Sequence, residues 1–194
     1  MTVTDMTLKI TVRVAALAVA PVEPAIDAIN EAVQFLALKL ADRDSDLARS
    51  SYARNTTRQS SALPPDFNGF YGKPSISGKY LEPLPSDYDL NTPAGTPQYY
   101  EVIEDMLYVY PAPLSQITIA GKYWVFPEPL MNTDAIPFSG KFDSLLLNMA
   151  VKLVVSGYSI LSQQQFSIEV ERGLDAVLFP RKPALPTRRP YHNF

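Results

Sequence analysis

The stretch from Tyr99 to Phe126, YYEVIEDMLYVYPAPLSQITIAGKYWVF, opens with two short alternating apolar and polar runs separated by Glu104-Asp105. Alternation with period 2 is the pattern of half-buried strands, and the two acidic residues between the runs predict a tight two-residue turn. That turn sets Ile103 opposite Met106. Tyr100, Val102, Leu107 and Val109 then share one face of a hairpin, and Tyr99, Glu101, Tyr108 and Tyr110 share the other. The first face is the more apolar and is the expected core face, with Val102 inside it. Pro111 and Pro113 remove ladder donors after the second strand. Ile117, Ile119, Tyr123 and Val125 alternate again as far as Pro127 and Pro129. Three strands in succession predict an antiparallel meander.

On either side of this region the apolar period becomes helical. Upstream, Ile26, Ile29, Val33, Leu36, Ala37 and Leu40 follow Pro24, which suits a first helical turn, while Asp27, Glu31 and Gln34 face away. Downstream, Phe142, Leu145, Leu146, Met149 and Leu153 form one stripe. Phe166, Val170, Leu174 and Val177 form a second, after a break at Ser156-Gly157 and before a stop at Pro180. Thr4 to Ala20 reads as a helix capped by Thr4 or Asp5, although Ile10, Val12 and Val14 also alternate as a strand would. Ser51 to Thr57 is expected as an edge strand, and Leu63-Pro64-Pro65-Asp66-Phe67 as a turn that delivers a ring to a core. Gly69 to Pro97, with Pro74, Pro83, Pro85, Pro93 and Pro97, holds too many prolines for central strands and is expected as mostly ordered loop.

The fold class is therefore α+β: a helical bundle of an N-terminal helix and two C-terminal helices, with an inserted antiparallel β region and an extended C-terminal arm. The helices are expected at about 22–41, 141–156 and 160–179 and the β insertion at about 50–137, all in one domain over 1–179, followed by the arm at 180–194.

Of the 194 residues, 46% are apolar and 19% charged, an ordinary globular balance. The net charge of -3 hides an asymmetry. Arg181, Lys182, Arg188 and Arg189 lie in a segment without acids, so the tail carries +4 and the body -7. Proline is abundant, at 18 residues, which favours long extended connections. The apolar run Val14 to Val19 is shorter than a signal-peptide core, and no run reaches the roughly 20 residues of a membrane span. Neither secretion nor a membrane is expected.

Little in the sequence points to chemistry. Cysteine is absent, which removes thiol catalysis and thiolate metal sites, and His192 is the sole histidine. Asp42, Asp44 and Asp46 imitate the start of a calcium loop, but Leu47 stands where the sharp turn needs glycine and Ala53 where the bidentate glutamate belongs. Gly72-Lys73 is followed by Pro74 and lacks the glycine spacing of a phosphate loop. Glu101, Glu104 and Asp105 could imitate a hydrolase carboxylate pair, yet neighbours at a hairpin tip are usually solvated. The reading is no enzyme, no cofactor and no metal. Tyr71, Tyr80, Tyr88, Tyr99, Tyr108, Tyr110 and Trp124 offer a competing possibility, a monomeric carbohydrate- or peptide-binding module with a tyrosine-rich β face.

The tail PRKPALPTRRPYHNF cannot build a core alone and reads as a disordered terminus or as an arm ordered by a partner. In the second case Pro183, Pro186 and Pro190 keep it extended, Arg181, Lys182, Arg188 and Arg189 serve carboxylates, and Tyr191 and Phe194 serve as apolar anchors.

Five segments in order resemble the head-to-tail adaptor (head completion, or neck) proteins of tailed bacteriophages, especially of short-tailed phages. They are INEAVQFLALKL (Ile29 to Leu40), LPPDF (Leu63 to Phe67), GTPQYYEVIEDMLYVYPAP (Gly95 to Pro113), KYWVFPEPL (Lys122 to Leu130) and the closing helices from Phe142. The resemblance implies a structural virion protein, a dodecameric ring beneath the portal at the head-tail junction, assembled in the host cytoplasm. It implies the portal protein and a tail or nozzle protein as partners, DNA passing through the ring without specific binding, and residues 180–194 as a portal-binding arm.

Overall fold

The computed structural model describes residues 1–138, 140–156 and 160–179. The chain forms two compact units: Val33–Leu130, and Met1–Ala32 with the described residues from Met131 onward.

The unit made from the two flanks is helical. Helix α1, Val3–Leu17, is capped by Thr2 rather than by Thr4 or Asp5. Asp5 is the third helical residue, and it completes a capping box: its amide donates to Thr2 Oγ1 at 3.2 Å while its carboxylate accepts from Thr2 N at 3.0 Å. Helix formation decides the ambiguity at Ile10, Val12 and Val14, because Val3, Met6, Ile10 and Val14 form one buried stripe and Val12 lies off it. The stripe packs on α3, Asp143–Ser156. Helix α2, Ala25–Asp42, begins after Pro24, whose carbonyl accepts from Ala28 N, and it runs from this unit into the other. Just before it, Val22 N donates to Val154 O at 2.7 Å.

The predicted stripe of α3 is buried at Leu146, Met149 and Leu153, with Phe142 buried just ahead of the helix. Half-buried Leu145 faces α4, Ile160–Leu178, at Gly173, where an added Cβ would come within 2.5 Å of Leu145 Cδ1. Val170 and Leu174 are buried as predicted. The Phe166 side chain falls outside the described residues.

The Val33–Leu130 unit holds eight strands: β1 Arg49–Thr56, β2 Ser60–Ala62, β3 Phe67–Ile76, β4 Lys79–Tyr80, β5 Glu82–Pro83, β6 Tyr99–Ile103, β7 Met106–Tyr110 and β8 Ile117–Val125. They form two four-stranded sheets, β1-β8-β3-β4 and β2-β7-β6-β5. The hairpin β6–β7 has the predicted register, with Ile103 opposite Met106 and Tyr100 opposite Val109. Its core face is as predicted at Leu107 and Val109, but Val102 is 38% exposed, because the hairpin end extends past the core.

The meander is overturned. Strand β8 pairs with β1 and β3 in the other sheet, while β7 pairs with β2 and β6 with β5. Alternation identifies a strand and its buried face but not its neighbour. The edge strand expected at Ser51 to Thr57 is present as β1.

From Gly69 to Pro97 the chain is mostly loop as expected, including all of 84–97, but the exclusion of a central strand is corrected, since β3 runs through Pro74 as an inner strand. Proline is tolerated there because it sits in a register break between Tyr71 and Ser75, and its carbonyl accepts from Leu81 N at 2.8 Å. Ser77 and Gly78, with φ of 50° and 80°, then make the two-residue β3–β4 turn.

The two sheets share one core, formed by Tyr52, Ile76, Ile119 and Tyr123 from one and Leu107 and Val109 from the other, with Leu63 and Leu81. Its buried tyrosines keep their hydroxyls bonded: Tyr52 to Ser61 Oγ at 2.9 Å and Tyr123 to Asp66 Oδ1 at 3.0 Å. Leu63-Pro64-Pro65-Asp66-Phe67 acts as predicted, bringing Phe67 against this core.

Candidate interaction surfaces

The residues that imitate a calcium loop are held by a cation of the same chain. Arg49, at the start of β1, ion-pairs with Asp44 and, at 2.7 Å, with Asp46. Its guanidinium lies 3.7 Å from the Tyr71 ring centre and 4.9 Å from that of Trp124, and the two rings meet edge to face. One side chain thereby fastens the connection that follows α2 to the sheet through charge and π contacts. Sequence reading missed Arg49, because its partners lie 22 and 75 residues away in sequence at Tyr71 and Trp124.

The tyrosines do not assemble into one face. Tyr71 and Trp124 are engaged by Arg49, whereas Tyr88 stacks edge to face on Tyr99 and Tyr110 in the other sheet. Tyr110 is buried, and Tyr80 is exposed. Aromatic bulk, rather than a stacking platform for a sugar, describes most of these rings. A shallow concavity does exist at the hairpin end, where Phe67, Phe70, Tyr100 and Val102 approach Glu104. Glu104 sits on that solvated end in the left-handed region at φ 51°, whereas Glu101 is half-buried opposite Tyr108 and accepts from the Tyr110 hydroxyl at 3.5 Å.

Two further features lie in the helical unit. An open groove between α1 and α3 is lined by exposed Leu8 and Val12, by Lys9 and Arg13, and by Asp143 and Leu147. Arg13 donates to Asn148 Oδ1 at 2.7 Å, a neutral partner. At the start of α2, Glu23, Asp27 and Glu31 recur every fourth residue. Burial, then the charges of Glu31 and Asp27, raise the pKa of Glu23; burial, then Asp27, raise that of Glu31. Glu31 Oε2 is buried with no hydrogen-bond partner. The sequence held a signal for both, a second apolar period in α1 and a fourfold acidic spacing in α2, which the search for a single core stripe passed over.

Arg181, Lys182, Arg188, Arg189, Tyr191 and Phe194 lie outside the described residues, as does His192. No helix of the described residues is long and apolar enough to cross a membrane.

The model of the SU10 adaptor protein family matches residues 1–178, and the chain belongs to that family. Among curated proteins no sequence matches it. The membership agrees with the resemblance to phage head-to-tail adaptors and makes the chain a structural adaptor of a phage virion, working against other capsid or tail components.

Proposed function

We propose that the protein is a ring-forming subunit that joins the portal to the tail, with the helices arranged as a bundle interrupted in sequence by the β insertion. The observation that carries this reading is the family match over 1–178. A ring subunit needs a rigid frame and surfaces that reach its neighbours, since many modest contacts repeated around a closed ring add up. A dodecamer fits the resemblance. The body, at a net -7 without the tail, repels DNA passing through the ring instead of holding it. Residues 180–194 serve as the arm that grips the portal, through Arg181, Lys182, Arg188 and Arg189 on carboxylates and Tyr191 and Phe194 in apolar sockets.

The deciding experiment mixes the full chain with purified portal rings and images the product by electron microscopy. Added ring density on one face of the portal is the expected result. Bare portals beside free monomer at every ratio would overturn the reading.

A further inference from the structure

Helix α1 is apolar on two faces. Val3, Met6, Ile10 and Val14 are buried, while Leu8, Val12 and Ala15 form a second stripe at spacings of four and three that faces outward. Leu8 is 67% exposed and Val12 62%. A helix with apolar residues on opposite sides is built to be covered on both. The groove carries Lys9 and Arg13 against one carboxylate, Asp143, so on balance its cover should be apolar and acidic.

One place on the same unit has that chemistry. Val22 is 69% exposed, and directly after it come half-buried Glu23, exposed Asp27 and half-buried Glu31, with the charge of Asp27 acting on both glutamates. The two patches sit at opposite ends of α3: the groove reaches Asp143 and Leu147, whereas Val22 is hydrogen-bonded to Val154. At about 1.5 Å per residue, Asp143 and Val154 are roughly 16 Å apart along the helix.

We propose that the α1–α3 groove docks a second copy of this chain, which seats its Val22 against Leu8 and Val12 and its Glu23 and Asp27 against Lys9 and Arg13. The contact is head to tail, and such a contact repeats from subunit to subunit until it closes. The inference rests on the ring-forming reading and supplies its contact. The +4 tail of the chain is a poor alternative cover, because the cations at the groove repel it.

The test is a charge exchange. K9E/R13E makes the groove acidic like its target, and E23K/D27K makes the target basic like its groove. Each variant alone should associate at least about tenfold more weakly than the unaltered chain, measured by sedimentation velocity up to about 1 mM. Mixed in equal amounts, the two should recover assembly, because every groove then meets an opposite charge. Recovery also shows that both variants are folded, which circular dichroism checks for each. Since the chain has no cysteine, V12C/V22C gives a clean second readout. Oxidised at high concentration, it should yield a ladder beyond the dimer, whereas V12C alone stops at the dimer.

Rings that form unchanged with K9E/R13E and give no V12C/V22C ladder would overturn this contact while leaving the adaptor reading intact. An unaltered chain that stays monomeric to about 1 mM would overturn the contact as well, and portal binding would still judge the adaptor reading separately.

Discussion

Val102 and Val109 lie on the same face of one hairpin, yet the first is 38% exposed and the second fully buried. An aspartate at Val109 has no partner for its charge and should cost more than about 4 kcal/mol, enough to unfold the β unit. The same change at Val102, at the solvated strand end, should cost only about 1 kcal/mol, mostly lost strand preference. Thermal melts of the two variants check the contrast, and equal losses would mean that the hairpin end is covered. A second residue-scale prediction concerns Glu31, whose pKa is raised by burial and by Asp27. A raised carboxyl pKa means that the folded chain binds the proton more tightly than the unfolded chain. Its contribution is therefore full below the ordinary glutamate pKa and lost as pH rises through the raised value. Glu31→Gln should stabilise the monomer at neutral pH and flatten the fall in stability as pH rises above the ordinary glutamate pKa. Melting temperatures across that range test it, and an unchanged slope would show that Glu31 titrates as a solvated group.

At the scale of elements, periodicity carried the sequence reading as far as local order and stopped at pairing. The α2 stripe, the α3 stripe at Leu146, Met149 and Leu153, and the hairpin register were legible because each depends on residues within a few positions of one another. The partner of β8 was not legible, since pairing with β1 and β3 is decided by a core that joins Tyr52, Ile76 and Ile119 across the unit. Strand β3 was hidden by Pro74, although Ser77-Gly78 marked its turn, because a proline inside a strand is tolerated only where the ladder already breaks. Of the interaction surfaces, the acidic loop at Asp42 to Asp46, the tyrosines and the hairpin-tip carboxylates drew notice in the sequence, and Arg49 changes the meaning of the first from a failed ion site to an anchor. In the helical unit, Leu146 is fully buried on α3, so Leu146→Ala should cost about 2–5 kcal/mol. Chemical denaturation measures this directly, and a loss below about 1 kcal/mol would mean that the helices close around the missing volume.

For the whole molecule, the adaptor reading divides labour between a folded body and a tail that needs a partner. The body belongs to the SU10 adaptor protein family over 1–178, and α4 ends at Leu178 with Phe179 exposed beyond it. Residues 180–194 contribute four cations and no acid, together with prolines, a residue type whose fixed φ reduces the entropy lost on binding. If those residues serve the portal and not the body, stability and docking should separate when they are removed. A chain ending at Phe179 is expected to keep its melting temperature within a few degrees while losing its hold on the portal. Docking by the full chain should weaken as salt is raised from about 0.1 M toward 1 M, where screening shortens the reach of the four cations to roughly 3 Å. Co-sedimentation with portal rings, run with both chains at several salt concentrations, reads both effects together. Undiminished binding by the shortened chain would remove the arm from the mechanism and leave the β unit or the helices to make the contact. A large fall in melting temperature would instead place residues 180–194 against their own subunit, and their charges would then have to be satisfied by the acidic body.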